Sequence, residues 1–151
     1  MQNNQGVIDV NISEFRIASN KGVLRTSGIG SCMIITLYDP VKKIGGMAHS
    51  MLPGDHPSDP KYVGSAIDLM VKEMELKGAD IERLEARIVG GADVLQEPQN
   101  NSQEIGLENI KSALEKLKEK NIKIVAEDIG KNHSRSVEFN LKTGKILVAR
   151  L

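Results

Sequence analysis

The chain has 151 residues, with 20 basic and 20 acidic side chains and a formal net charge of zero. Aromatic residues make up only 3% of it and no Lys/Arg block is present, so a nucleic-acid-binding surface is not expected. No run approaches the roughly 18 apolar residues of a membrane span, and the first residues do not resemble a secretory signal. We expect one cytoplasmic domain over residues 1–151, with 1–6 frayed.

The N-terminal third is predicted to be rich in β-strands. Residues 7–19 alternate in places between apolar and polar side chains, which suggests one or two short strands. Residues 23–30 are typical of a strand that runs into a glycine turn. The apolar run 32–39 is β-branched in its middle and is followed by Pro40, which favours a buried strand. Residues 42–52 are then the expected hairpin partner.

Two helices are predicted from apolar residues that recur every three or four positions. The first follows Ser58 or Asp59, either of which can cap it, and ends at Gly78. The second lies within residues 100–121. The expected core stripes are Val63, Ile67, Met70 and Met74 in the first helix and Leu107, Ile110, Leu114 and Leu117 in the second.

Further strands complete the predicted order. One strand, residues 84–92, separates the helices and ends in Gly-Gly. Three strands follow the second helix, and a turn at 142–144 joins the last two. This order favours a single α+β domain, a mixed sandwich with mostly antiparallel strands and two main helices, over a regular βαβ alternation.

The only cysteine, Cys32, follows a Gly-x-Gly-Ser turn. A free cysteine is most often a core residue, but the N–H groups of such a turn can lower a thiol pKa and line an oxyanion hole. His49 lies in the predicted partner strand, and the hydroxyl of Thr26 could hold its imidazole. These are the nucleophile, base and orienting group of covalent acyl chemistry. The residues alone leave packing and catalysis both open.

The remaining histidines do not suggest a metal site. His56 and His133 lie in predicted loops and are expected to be solvated. The histidines lack helical spacing and have no clustered carboxylates around them. We therefore expect neither a metal nor another cofactor.

Five motifs carry a resemblance to a known family. They are "GIGSCMIITLYDP", "GGMAHSMLP", "RIVGGADVL", "IGLENI" and "TGKILV". In this order they resemble the CheD family of chemoreceptor glutamine deamidases, and the Cys–His and Thr–Cys separations agree with the family's catalytic arrangement. One departure is the segment Lys131, Asn132 and His133, where the family usually has a glycine-richer turn. A different substrate preference would follow if that loop borders the cleft.

The resemblance implies a fold similar to bacterial toxin deamidases and hydrolysis of glutamine side-chain amides on methyl-accepting chemotaxis receptors. It implies Cys32 as nucleophile, His49 as base and Thr26 as its orienting residue. Backbone N–H groups around Ser31 and Cys32 would hold the oxyanion. It also implies the phosphatase CheC as a partner where the organism has one. We expect a monomer with no membrane insertion.

The turn before Cys32 and a nearby His49 also predict a depressed thiol pKa. An alternative hypothesis is a non-enzymatic adaptor of the same fold, which binds receptor or CheC helices while Cys32 is vestigial. A third is a peptidase-like cysteine hydrolase, which would need a deep peptide groove.

Overall fold

The computed structural model describes residues 6–93 and 102–151, so the segment predicted to fray lies outside the described residues except for Gly6. Within these ranges the chain forms nine strands, two α-helices and a short 3-10 turn at Ile81–Arg83. The elements are β1 (Val7–Asp9), β2 (Glu14–Ser19), β3 (Val23–Ile29), β4 (Met33–Asp39), β5 (Ile44–Ser50), α1 (Val63–Leu76), β6 (Glu85–Gly90), α2 (Ser102–Glu119), β7 (Lys123–Ile129), β8 (Arg135–Asn140) and β9 (Ile146–Arg150).

The strands form two sheets. The order is β1-β3-β8-β9 in the four-stranded sheet and β2-β5-β4-β6-β7 in the five-stranded sheet. Most neighbouring pairs are antiparallel, whereas β1–β3 and β6–β7 are parallel. One face of the five-stranded sheet packs on the helices and the other on the four-stranded sheet. The predicted α+β sandwich is confirmed.

Strand β4 is the centre of this arrangement and is buried throughout. Met33, Ile35 and Leu37 pack with the helices. Ile34 and Tyr38 alternate with them and pack against the four-stranded sheet. A strand with two buried faces needs apolar residues at successive positions, which explains the continuous apolar run in the sequence.

Helix α1 begins at Val63, later than predicted. Ser58 has a φ of 68°, and a carboxylate oxygen of Asp59 accepts a hydrogen bond from the N–H of Lys61 at 3.0 Å. These residues form a turn before the helix, and Tyr62 stands at the N-cap with no side-chain hydrogen bond. The predicted Ser58 or Asp59 cap is wrong because the Asp59 carboxylate bonds within that turn.

Two of the four residues predicted for the core stripe of α2 are exposed, so that part of the prediction is wrong. Leu107 is 51% exposed and Leu114 is 38% exposed, whereas Ile110 and Leu117 are buried. The buried face also contains Gly106, Asn109 and Ala113. Small residues let this helix lie close to the sheet, so the face that packs is not the one with the most leucines.

Asp39, at the end of β4, is fully buried and anchors the 3-10 turn. Arg83 donates to both of its oxygens, from Nε at 3.0 Å and from Nη2 at 2.8 Å. The N–H groups of Val41, Lys42 and Asp80 also donate to it. Burial raises the pKa of Asp39, but these hydrogen bonds outweigh burial and lower the pKa to about 2.

This ion pair predicts a loss of stability in acid. Because the folded-state pKa of Asp39 lies below the unfolded value of about 3.9, its contribution is present above pH 4 and is lost as pH falls towards 2. The contribution is roughly 2 kcal/mol. Urea unfolding of the wild type at pH 7 and pH 3, compared with Asp39→Asn, measures it. The variant should be less stable at pH 7 and show a smaller loss at pH 3. An unchanged loss would assign the acid sensitivity to other carboxylates.

Candidate active site

His49 lies near the end of β5, between two neighbouring strands. It is paired with Ile34 of β4 on one side and with Glu14 of β2 on the other. Directly opposed residues of neighbouring strands share a face of the sheet, and Ile34 packs towards the four-stranded sheet. The imidazole therefore lies between the two sheets, where the residue is only 2% exposed.

Thr26 reaches the imidazole from the other sheet. It lies in β3, next to an irregularity in the pairing of β3 with β8. Its Oγ1 is 2.9 Å from His49 Nδ1. The second ring nitrogen, Nε2, is buried and has no hydrogen-bond partner among the described residues. Packing of the two sheets thus brings together Thr26 and His49, which lie far apart in the chain.

Cys32 lies one residue before β4 and is partly buried. It packs on the same inter-sheet cluster as Ile34. Since Met33 pairs with Ser50 and Ile34 with His49, Cys32 stands diagonally from His49 across the two strands. Such diagonal neighbours have Cα atoms about 7–8 Å apart, within reach of long side chains. The nucleophile and base candidates therefore lie on one face of the same sheet.

Gly90 and Gly91, at the end of β6, lie against the loop that carries Cys32 and hold it by backbone hydrogen bonds. The N–H of Gly91 donates to the Cys32 carbonyl at 2.9 Å, and the N–H of Ala92 donates to the Gly30 carbonyl at 3.0 Å. Gly90 has a φ of 118°, and a Cβ added there would collide with the Cys32 carbonyl oxygen. Only glycine allows this close approach, so the Gly-Gly sequence serves the loop.

Asn109 is a residue of the candidate site that was not predicted from the sequence. It lies on α2 with no exposed surface. Its Nδ2 donates to the carbonyl of Ser31 at 2.8 Å and to the carbonyl of Met51 at 3.1 Å. A polar residue on the buried face of α2, three positions after Gly106, was the available signal.

The expected depression of the Cys32 pKa is wrong for this structure. Burial raises the pKa of the thiol, and a hydrogen bond with its own backbone only partly opposes this. Burial also lowers the pKa of His49, with the backbone of Val10 acting in the opposite direction. Both shifts favour uncharged groups. The resting pair is therefore a neutral thiol and a neutral imidazole rather than a preformed ion pair.

A groove of about 840 Å³ opens onto Thr26 and His49. Its walls come from β1 and the loop after it, from β3 and from β8, and they include Asp9 and Arg25, which form an ion pair at 2.7 Å. Cys32 does not line this groove.

The loop that departs from the family pattern lies close to this site. Lys131 and Asn132 are exposed, and the carbonyl of Lys131 accepts a hydrogen bond from the N–H of Asp93 at 2.9 Å. Asp93 follows the segment that supports Cys32. His133, expected to be solvated, is half-buried, and its pKa is lowered by burial and by nearby Arg135.

His56, the other loop histidine, is exposed and stacks on Tyr62 with ring centroids 5.3 Å apart. Neither it nor His133 has a hydrogen bond to Thr26 or His49 in the described part of the chain. No helix in the two described ranges is long and apolar enough to cross a bilayer.

The fold alone has a counterpart among solved structures. It is similar to the crystal structure of the hypothetical protein YfiH of Bacillus licheniformis, with a TM-score of 0.51 and 14% identity. The match covers 76% of this chain and 49% of that one.

Curated proteins show a much stronger likeness along nearly the whole chain. The "Chemoreceptor glutamine deamidase CheD" of Thermotoga maritima is 42% identical over 94% of this chain and 90% of its own length. The protein of the same name from Halalkalibacterium halodurans is 36% identical over 94% and 92%, respectively. A family model described as "CheD chemotactic sensory transduction" matches residues 50–150. This chain belongs to the CheD family.

Proposed function

We propose that this chain hydrolyses the side-chain amides of selected glutamines on chemoreceptors to glutamate and ammonia, with Cys32 as the nucleophile. The observation that carries the proposal is the contact between Thr26 and His49. It occupies Nδ1 of the imidazole and leaves a buried Nε2 on the face of the sheet that also holds Cys32. The names of the curated relatives supply the substrate class.

The first half of the reaction forms a thioester. His49 Nε2 accepts the thiol proton as Cys32 Sγ attacks the amide carbon. The carbonyl oxygen becomes an oxyanion that faces the N–H groups of Ser31 and Cys32. When the intermediate collapses, the C–N bond breaks and the imidazolium gives its proton to the leaving nitrogen, which departs as ammonia.

The second half returns the enzyme to its starting state. A water molecule attacks the thioester carbon while His49 Nε2 takes a proton from it. The C–S bond breaks, glutamate is released, and Cys32 regains its proton from the imidazolium. In this scheme Nδ1–H donates to Thr26 Oγ1, which keeps Nε2 unprotonated in the resting site.

The neutral resting pair suits this scheme. A thiol with a raised pKa gains its nucleophilicity as His49 removes the proton. The hydrogen bond between a nucleophile and its base often shortens only when substrate is bound.

We further propose that the phosphatase CheC binds the same protein where it is present, and that the protein acts as a monomer.

The test is mass spectrometry of a receptor cytoplasmic fragment after incubation with the wild-type chain, together with an ammonia assay. Discrete glutamines should become glutamates with an equal yield of ammonia. Binding of the fragment without any conversion would instead support the adaptor hypothesis.

Thr26 offers a graded test of the orienting role. We expect Thr26→Val, which keeps the shape but loses the hydroxyl, to lower kcat/KM by about 10- to 1000-fold. Thr26→Ser keeps the hydroxyl and should retain much more activity. Steady-state kinetics of both variants, with thermal unfolding as a fold control, separates hydrogen bonding from packing. Wild-type activity in Thr26→Val would reduce the site to a Cys32–His49 pair.

A further inference from the structure

The Asn109 side chain joins the two chain segments that carry the proposed catalytic residues. Its Nδ2 donates to the carbonyl of Ser31, just before Cys32, and to the carbonyl of Met51, two residues after His49. Both partners are carbonyls, which only accept hydrogen bonds, so the orientation of the amide follows from them. One fully buried amide therefore sets the spacing between the Cys32 loop and the end of β5.

The bond to Ser31 also orients an N–H group of the proposed oxyanion site. The carbonyl of Ser31 and the N–H of Cys32 belong to one planar trans peptide, so they point in opposite directions. The bond from Asn109 fixes that carbonyl, and it therefore directs the N–H of Cys32 away from α2. The bond also polarises the peptide, which makes the N–H a better donor.

The neighbouring peptide is held in the same way. The carbonyl of Gly30 accepts from the N–H of Ala92 at 3.0 Å, and this fixes the peptide that carries the N–H of Ser31. The Cys32 N–H contacts the sulfur of its own residue. Apart from this, the N–H groups of Ser31 and Cys32 have no acceptor among the described residues. Hydrogen bonds to the carbonyls of their peptides thus fix the direction of both donors, and neither donor is used by another residue.

Close contact between α2 and the end of β6 allows Asn109 to reach this position. A Cβ added to Gly106 would lie 2.6 Å from the carbonyl oxygen of Gly91 and 3.0 Å from that of Ala92. Since neither glycine has a side chain, the helix backbone approaches the β6 end directly. Asn109 lies about one turn further along the helix, beside the Cys32 loop.

Stability alone does not account for an asparagine at position 109. Its Oδ1 is buried and has no hydrogen-bond partner among the described residues. Leaving a buried acceptor unpaired is unfavourable, and an apolar side chain would avoid it. What an apolar side chain cannot do is hold the Ser31 and Met51 carbonyls.

We propose that Asn109 is a positioning residue that orients the Cys32 N–H towards the oxyanion of the tetrahedral intermediate. This inference rests on the proposed deamidase function. Asn109 makes no contact with the substrate in this picture. Its effect should appear when negative charge develops on the carbonyl oxygen rather than when the receptor binds.

The experiment compares Asn109→Asp, Asn109→Leu and a matched control, Ser112→Ala. Ser112 also lies on α2 and its Oγ accepts a hydrogen bond from the N–H of Gly54 at 2.6 Å, so it anchors the loop after β5 without a hydrogen bond to the Cys32 segment. Three quantities are measured for each variant: kcat and KM for a receptor fragment, the rate of Cys32 alkylation by iodoacetamide, and inhibition by a glutamine-like peptide aldehyde. Alkylation needs no oxyanion site, whereas the aldehyde adduct does.

We expect both Asn109 variants to lower kcat by about 100-fold, as loss of one oxyanion donor does elsewhere, and to weaken aldehyde inhibition. KM should stay near that of the wild type and of Ser112→Ala, and so should the alkylation rate of Asn109→Leu, which adds no charge beside the thiol. If Asn109→Leu does not fold, the isosteric Asn109→Asp carries the test.

Two results would overturn the inference while leaving the deamidase function intact. One is a wild-type kcat in a folded Asn109→Asp variant. The other is an equal loss of kcat and alkylation rate, which would indicate general disruption of the loop. A wild-type chain that converts no glutamine would overturn both this inference and the proposed function.

Discussion

Replacement of Cys32 by alanine is expected to reduce the conversion of receptor glutamine to glutamate by on the order of 10⁴-fold or more. In the proposed mechanism the change removes the atom that forms the thioester, and the described residues offer no second thiol to replace it. Cys32→Ser is the matched variant, since it keeps a hydrogen-bonding group of similar size with far weaker nucleophilicity. It should be nearly as inactive. Single-turnover assays with a receptor fragment measure both.

Binding should survive the same substitution. Cys32→Ala removes one partly buried sulfur and leaves the groove beside Thr26 and His49 unchanged. Calorimetric titration with the receptor fragment should give a Kd close to that of the wild type, with circular dichroism as the fold control. Substantial deamidation by either Cys32 variant would contradict the assignment of the nucleophile. Loss of binding by a folded variant would mean that the sulfur takes part in recognition.

His49→Ala should cause a loss of similar size, because the raised pKa of Cys32 leaves the thiol protonated without a base. The double variant with Cys32→Ala should lose little beyond either single change, since the proposed mechanism makes both residues parts of one catalytic unit. His49→Gln is the control for packing, as it fills much of the same space without a basic nitrogen.

The pH profile tests the same residue in the wild type. The pKa of His49 is lowered from its ordinary value of 6.5. The base must be neutral, so kcat/KM should fall only as pH drops through that lowered pKa, on the acid side of 6.5. If kcat/KM already falls as pH drops through values above 6.5, the ordinary histidine pKa, another group is the base. High activity in His49→Ala would mean the same.

The succession of strands and helices along the chain could be predicted because strands leave clear local patterns in the sequence. The apolar run that ends at Asp39 marks a strand buried on both faces, and the segment around His49 forms the antiparallel partner. Helix details were harder to predict. The cap of α1 depends on a turn at Asp59, and the packing face of α2 depends on the small residue Gly106 rather than on Leu107 or Leu114.

In the candidate site, too, relations between neighbouring strands could be predicted, whereas contacts between sheets and with a helix could not. Cys32 lies directly before β4 and His49 lies in the neighbouring strand β5, so the two could be paired from their positions in a hairpin. Thr26 belongs to the other sheet, so its contact with the imidazole depends on how the two sheets pack, and its prediction rested mostly on the resemblance. Asn109 comes from a helix distant in sequence. The thiol pKa depends on burial, which a turn motif does not reveal.

Interception of the thioester tests the central claim most directly. Receptor fragment and wild-type chain are mixed with increasing hydroxylamine, and the fragment is analysed by mass spectrometry. If Cys32 forms a thioester with the glutamine side chain, the modified positions will carry a hydroxamate whose share rises with hydroxylamine at the expense of glutamate, and Cys32→Ala will form neither product. Glutamate that forms at the same positions with no hydroxamate at any concentration would contradict a Cys32 thioester.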